Sequence, residues 1–233
     1  MVSMQSLPQG YRAIVFGATG GIGAAFHQHL KQDINCREVI GLSRSSEPAF
    51  DLENEASIRN AAETLVGEFH LLIDATGFLS DATIAPEKSL RALNAQAMAK
   101  LYELNTIGPS LLMKHFSKHM PRKERAIFAT LSARVGSIGD NRLGGWYAYR
   151  AAKTALNMMM KCSAIEVART KPESMFVSLH PGTVETSLSD PFAGSRERLA
   201  PEQSAEMLLK VIDDLGPQES GSFWDYKGNR VEW

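Results

Sequence analysis

Ile14-Val15-Phe16-Gly17-Ala18-Thr19-Gly20-Gly21-Ile22-Gly23 narrows what this chain can become more than any other stretch. An apolar run breaks into closely spaced glycines and then into a helical pattern. Glycines at 17, 21 and 23 suit a turn that needs positive φ and brings the backbone up against a pyrophosphate, which then rests on the helix N-terminus. Glycine-rich turns also serve as plain chain reversals, so the context decides. Residues 12–16 read as a buried strand, the glycines follow at once, and 24–30 continue with apolar positions at helical spacing. That order predicts a nucleotide site, with Thr19, Gly20 and Ile22 completing the phosphate turn.

The remaining chain alternates strands and helices. Residues 38–42 read as a second buried strand, followed by Ser43-Arg44 with no acid at its end. A site for NAD usually carries an acid there for the ribose 2′-hydroxyl, whereas an arginine suits the 2′-phosphate of NADP. Residues 49–52 suggest a short third strand and 53–66 a helix, with Asp51 either capping that helix or meeting the adenine. Residues 70–77 form another strand, whose end at Ala75, Thr76 and Gly77 is small enough to lie beside a cofactor. A long helical pattern over 91–119 is interrupted at Gly108-Pro109, where a kink is expected. Strands at 126–131, 175–179 and 222–226 and helices at 146–168 and 201–215 complete the alternation. It predicts an α/β fold, a Rossmann-type doubly wound parallel sheet in a single domain spanning 1–233. The irregular stretch near 185–200 is the expected substrate loop, with Leu188, Phe192 and Leu199 beside Asp190.

Composition excludes several other functions. A chain of 233 residues, 44% of them hydrophobic, can bury one substantial core, and a net charge of -1 offers no general attraction to nucleic acid or to an acidic membrane. Cys36 and Cys162 have no metal-ligand spacing, and His115 and His119 share a helix face without an acidic third ligand, so no metal site is expected. No signal-peptide pattern and no run of membrane-spanning length is present, which points to a cytoplasmic protein.

The chemistry gathers on the helix over 146–168. Tyr149 and Lys153 are four residues apart and share a face, so phenol and ammonium point at one pocket. A tyrosine is a poor acid-base group at neutral pH, and bringing its pKa to about 7 takes about 4 kcal/mol of preferential phenolate stabilisation, much of which a nearby cation can supply. Ser132, at the end of a strand in the crevice where open α/β sheets bind ligands, can hold a substrate oxygen while Tyr149 moves the proton. Ser137, in a glycine-flanked turn, is the competing candidate, and strand-end position favours Ser132. Asn105 precedes Pro109 by four, so its carbonyl loses the helical partner that residue 109 would supply and is free to hold an ordered water.

These motifs resemble the short-chain dehydrogenase/reductase family over nearly the whole length. Residues 16–23 are similar to T-G-x-x-x-G-I-G, with Phe16 in place of the usual threonine, and Asp74-Ala75-Thr76-Gly77 resembles N-N-A-G with two substitutions. Asn105, Ser132, Tyr149 and Lys153 fall where the family carries its catalytic tetrad, and Pro181-Gly182-Thr183-Val184-Glu185-Thr186 resembles the P-G-x-V-x-T segment. The stretches 131–138 and 145–153 resemble its C-factor-like branch, which includes a proposed signalling member. The resemblance implies that Pro181, Gly182, Val184 and Thr186 meet the nicotinamide, that Asp51 and Leu52 meet the adenine, and that Arg44 meets the 2′-phosphate, with Ser43 beside it among the cofactor-binding residues. It implies NADP(H) as preferred cofactor with NAD(H) as the alternative, a small carbonyl or alcohol substrate, and a homodimer or homotetramer paired through the helices at 91–119 and 146–168. The expected activity is hydride transfer between a carbonyl and an alcohol; the rival is a nucleotide-binding regulatory protein of the same fold, against which the intact tetrad argues.

Overall fold

The computed structural model describes residues 3–192, 194 and 197–233. Six strands, β1 (Tyr11–Phe16), β2 (Cys36–Leu42), β3 (Leu71–Asp74), β4 (Ala126–Leu131), β5 (Ser174–His180) and β6 (Ser222–Asp225), form one sheet in the order β2-β1-β3-β4-β5-β6. Every pairing is parallel. The chain leaves β1 for β2 on one side and returns to β3 on the other, so the strand order reverses between β1 and β3. A crevice therefore opens at their C-terminal ends.

Strand periodicity sorts the core into two layers. Ala13 and Val15 face α1 (Gly21–Gln32) and α6 (Pro201–Asp214), where Phe26, Leu30, Leu208 and Ile212 are buried. Ile14 and Phe16 face the other layer, built from α2 (Glu55–Thr64), α4 (Gly108–Phe116) and α5 (Tyr147–Ala168). Phe16 is fully buried there, with its ring centroid 4.7 Å from Phe116 and 5.8 Å from Phe50, which explains an aromatic at that position.

The elements depart from the sequence expectation in four places. Residues 49–52 form no strand: Pro48 lacks a donor, and the Phe50 N–H closes back on the Ser43 carbonyl at 3.0 Å. Asp51 does not cap α2; Asn54 does, its Oδ1 accepting the Ser57 N–H at 3.2 Å, while Asp51 accepts the Glu53 N–H one turn earlier. The strand expected over 70–77 ends at Asp74, whose carboxylate captures the Thr76 N–H at 3.0 Å and pulls the chain out of the ladder. The helix expected over 91–119 starts only at α3 (Ala95–Tyr102), capped by Asn94, and reaches α4 through a π turn, Glu103–Ile107. The Gly108 N–H there donates to the Glu103 carbonyl, five residues back. The break thus falls one turn before Pro109, because the proline ring crowds the carbonyl of Asn105 and the preceding turn widens to make room. Among the described residues no helix is long and apolar enough to cross a membrane.

The nucleotide turn makes unequal demands on its glycines. A Cβ on Gly23 would lie 2.1 Å from the Gly17 carbonyl oxygen, whereas one on Gly20 would lie 3.4 Å from that atom. Gly23→Ala should cost about 1–3 kcal/mol of stability or more, and Gly20→Ala less than about 0.5 kcal/mol, measured by chemical denaturation; equal losses would contradict this geometry.

Candidate active site

The crevice between β1 and β3 has the features of a dinucleotide site. Gly17 has φ +76°, and a Cβ there would meet the Ala75 carbonyl oxygen at 3.1 Å, so only glycine lets the two strand ends approach this closely. Helix α1 begins at Gly21 with Gly20 as N-cap, no side-chain acceptor and no acid in its first turn. Its unpaired N–H groups and positive end are left for an anion. Thr19, Gly20, Ser43, Arg44, Asp51, Leu52 and the tail Ala75, Thr76 and Gly77 line a cavity of about 290 Å³. Ser43 is buried, and the Ser46 hydroxyl accepts its N–H at 2.9 Å, shaping the turn that presents Arg44 to solvent. Arg44 makes no hydrogen bond or ion pair among the described residues. A free guanidinium at one end and a bare helix N-terminus at the other fit a phosphorylated dinucleotide. Ile22 turns inward and packs on the core.

The last cofactor segment approaches from β5. Gly182, at φ +82°, fits tightly against the Tyr226 ring, and the Pro181 carbonyl accepts the Ser204 hydroxyl at 2.8 Å. Val184 is buried and bridged to Leu199, and Thr186 lies over the start of α1, where a Cβ on Gly21 would meet its Cγ2 at 2.8 Å. The site residues expected from β1, β3 and β5 are thus brought to one end of the sheet.

Tyr149 and Lys153 project from α5 into the same region, with Lys153 Nζ 5.9 Å from the Tyr149 ring centroid. Gly136 permits this, since a Cβ there would lie 3.0 Å from the Lys153 carbonyl carbon and hold α5 away from β4. Ser132 follows β4 directly; its hydroxyl is buried and has no hydrogen-bond partner among the described residues. Ser137 differs, because its hydroxyl accepts the Asp140 N–H at 3.0 Å and closes a turn. An unpartnered buried hydroxyl costs stability; Ser174 and Ser178 in β5 share that condition, and of the three only Ser132 lies past the C-terminal end of its strand. Asn105 ties its side chain to the backbone of Phe78, accepting the N–H at 3.0 Å and donating to the carbonyl at 2.8 Å. A methyl added at Gly77 would lie 3.7 Å from Asn105 Oδ1 and 3.9 Å from Lys153 Nζ, so these groups converge over the β3 tail.

Burial governs the charges. It lowers Lys153 to about 8 despite the opposing Asp74 carboxylate, and Nζ donates to the Leu131 carbonyl at 2.9 Å. It raises the Tyr149 phenol above its ordinary value, and the Lys153 ammonium does not reverse this within the protein itself. Desolvation thus works against the phenolate stabilisation that the neighbouring cation can supply. Asp74 is raised by the same burial, against hydrogen bonds from Thr76 and from Thr130 at 2.7 Å.

A second cavity of about 500 Å³ adjoins Tyr149, with Trp146, Leu188 and Phe192 on its apolar wall. Leu199 does not join them; its backbone pairs with Thr183 and Glu185 instead, and Asp190 is taken by Arg198. Ala193, Ser195 and Arg196 of this loop lie outside the described residues. Histidines 115 and 119 are separately engaged, one with Glu55 and the other with the Ala62 carbonyl.

Sequence reasoning missed three contributors. Trp146 adopts the left-handed conformation at φ 51° after Gly144 and Gly145, and its ring sits edge-on 6.3 Å from Tyr149 and 5.3 Å from Phe192. Glu87 fixes that start of α5, its carbonyl accepting the Trp146 N–H and its carboxylate the Ala148 N–H. His180 lines the second cavity, with burial and Arg134 holding it down to about 4. The Gly144-Gly145 pair was a legible sign of the first; nothing local marked Glu87.

Because the folded pKa of Lys153 lies below its ordinary 10.5, the unfolded chain binds more protons between these values, and stability rises with pH there. Relative to Lys153→Met, the wild type should gain about 2–3 kcal/mol between pH 7 and 10. Denaturation curves at stepped pH measure this, and a constant difference would contradict the burial of the charge.

Comparisons with known proteins agree with this geometry. Residues 11–196 match the short chain dehydrogenase family model. The 1-hydroxy-2-glutathionyl-2-methyl-3-butene dehydrogenase of Rhodococcus sp. strain AD45 is 31% identical over 187 residues, 80% of each chain. The C-signal protein of Myxococcus xanthus is 35% identical over 137 residues, 58% of this chain and 78% of that one. Among solved structures, NADPH-bound carbonyl reductase from chicken fatty liver superposes with a TM-score of 0.82 at 26% identity, covering 97% of this chain and 100% of the other. Carbonyl reductase Sniffer of D. melanogaster gives 0.81 at 23% identity, with the same coverage. The chain belongs to the short-chain dehydrogenase/reductase family of NAD(P)-dependent oxidoreductases.

Proposed function

We propose that this protein interconverts a small carbonyl compound and its alcohol with NADP(H), and that Asn105, Ser132, Tyr149 and Lys153 carry the reaction. The observation that carries the reading is the buried Ser132 hydroxyl, without a partner among the described residues, beside a Tyr-Lys pair that opens on the same crevice. The carbonyl reductases among its structural neighbours, and a relative named as dehydrogenase of a hydroxyl compound, support that class of substrate.

Bound NADPH supplies the hydride. Ser132 donates a hydrogen bond to the substrate carbonyl oxygen, fixing it beside Tyr149 and polarising the carbon. Tyr149 delivers its phenolic proton to that oxygen as negative charge builds there. A phenol kept protonated by burial is suited to the donor role. Lys153, placed by α5 under the ring, stabilises the phenolate left behind and reaches the cofactor ribose. The Asn105 carbonyl, without the donor that Pro109 lacks, holds a water through which the proton is replaced. Arg44 selects the 2′-phosphate, and Gly17, Gly21 and Gly23 admit the pyrophosphate. Exposed Leu90, Ile107, Met158 and Ile165 on and beside α3, α4 and α5 give the apolar surface for pairing with a second copy.

Tyr149→Phe should lower kcat for aldehyde reduction by about 10²–10⁴ while NADPH still binds, measured by steady-state kinetics and fluorescence titration. Undiminished turnover would refute the role. Arg44→Ala should weaken NADPH by about tenfold or more and leave NADH nearly unchanged; equal losses in a binding titration would sink the assignment of the 2′-phosphate.

A further inference from the structure

We propose, resting on the carbonyl-reduction reading, that the second cavity selects substrates that carry a carboxylate at the end remote from the carbonyl. Besides its apolar residues, the cavity is lined by Arg134, Arg142, Arg150, Asp140 and His180. The lining itself holds three guanidiniums and one carboxylate. Arg134 is taken by two carboxylates, Asp140 at 2.5 Å and Asp225 at 3.7 Å. Arg150 has no carboxylate: its guanidinium donates to the carbonyls of Gly144 and Gly145 through Nε and of Val135 through Nη1. Arg142 is exposed and makes no hydrogen bond or ion pair among the described residues.

Of the acids near the cavity, Asp190 and Glu87 are engaged, while Glu232 lies against Gly139 with no hydrogen bond or ion pair among the described residues. Asp190 pairs with Arg198, and the Glu87 carboxylate serves the Ala148 N–H. His180 adds a donor and not a base, since its Nδ1 accepts the Arg134 N–H at 3.3 Å and the proton of the neutral ring sits on Nε2. Two guanidiniums without a carboxylate partner among the described residues, in the lining of a cavity that also holds aromatic side chains, describe an amphipathic ligand, apolar beside Tyr149 and anionic at the guanidiniums. Arg150 is committed to holding the start of α5, which leaves Arg142 as the group free to move onto an anion.

The test compares 3- and 4-carboxybenzaldehyde with their methyl esters, which keep the shape and lose the charge. At least one acid should be reduced with kcat/KM about tenfold or more above its ester, and the ratio should shrink as salt is raised. Arg142→Glu should abolish the ratio, and Arg169→Glu, at the far end of α5, should keep it. Calorimetry supplies a readout without turnover: benzoate should bind to protein saturated with NADP⁺ more tightly than benzamide, and Arg142→Glu should remove the difference. Equal efficiency for acids and esters, a ratio that survives Arg142→Glu, or benzoate binding no better than benzamide would each overturn the anion site. Reduction of both classes at equal efficiency would overturn it while leaving the reductase reading intact. Arg142-dependent benzoate binding with no aldehyde reduced would support the site and end that reading instead.

Discussion

A parallel sheet covered on both faces leaves almost no place for a polar side chain until its strands stop. All six residues of β4 are buried, and the first group available for chemistry is Ser132, one residue past its end. The same holds for β1, which yields to the glycine turn, and for β3, which yields to the small residues Ala75 to Gly77. Burial that stabilises the sheet therefore decides where the reactive groups lie, and the reversal of strand order at β1 gathers three strand ends around one crevice.

Asp74 shows how far that constraint reaches. A carboxylate with no exposure sits at the end of β3 and accepts from the N–H and hydroxyl of Thr76 and from the hydroxyl of Thr130 on the neighbouring strand. Three donors suit an acceptor-only carboxylate, which accounts for an acid where the family motif carries an amide. Its charge also opposes the fall in the Lys153 pKa, so a group that shapes the strand end also acts on the amine that serves the site.

Much of this was legible because it is local. Strand and helix periodicity located every strand of the sheet, and the Gly17 to Gly23 spacing located the turn to the residue, since the close approaches there are backbone contacts between near neighbours. The Tyr149–Lys153 spacing likewise fixed a shared helix face. What escaped was set by contacts distant in sequence. The Asn54 cap and the loss of a strand over 49–52 depend on which of several polar residues finds a donor, and Glu87 reaches α5 across some sixty residues. The burial of Tyr149 escaped for the same reason: spacing reveals the neighbouring cation, and only the packed structure reveals the desolvation that raises the phenol.

The π turn over Glu103–Ile107 has a bearing on how this helix can vary. A π turn places one residue more in the helix than an α register would hold, so the halves before and after it are rotated by about 100° relative to a continuous α-helix. Before it stands Leu101, buried in the cluster that holds Tyr149; after it stand Leu112 and Phe116, buried against the sheet. Deleting a residue between them would straighten the backbone and swing one of these faces away from its partners, so the two faces together fix the length of this segment.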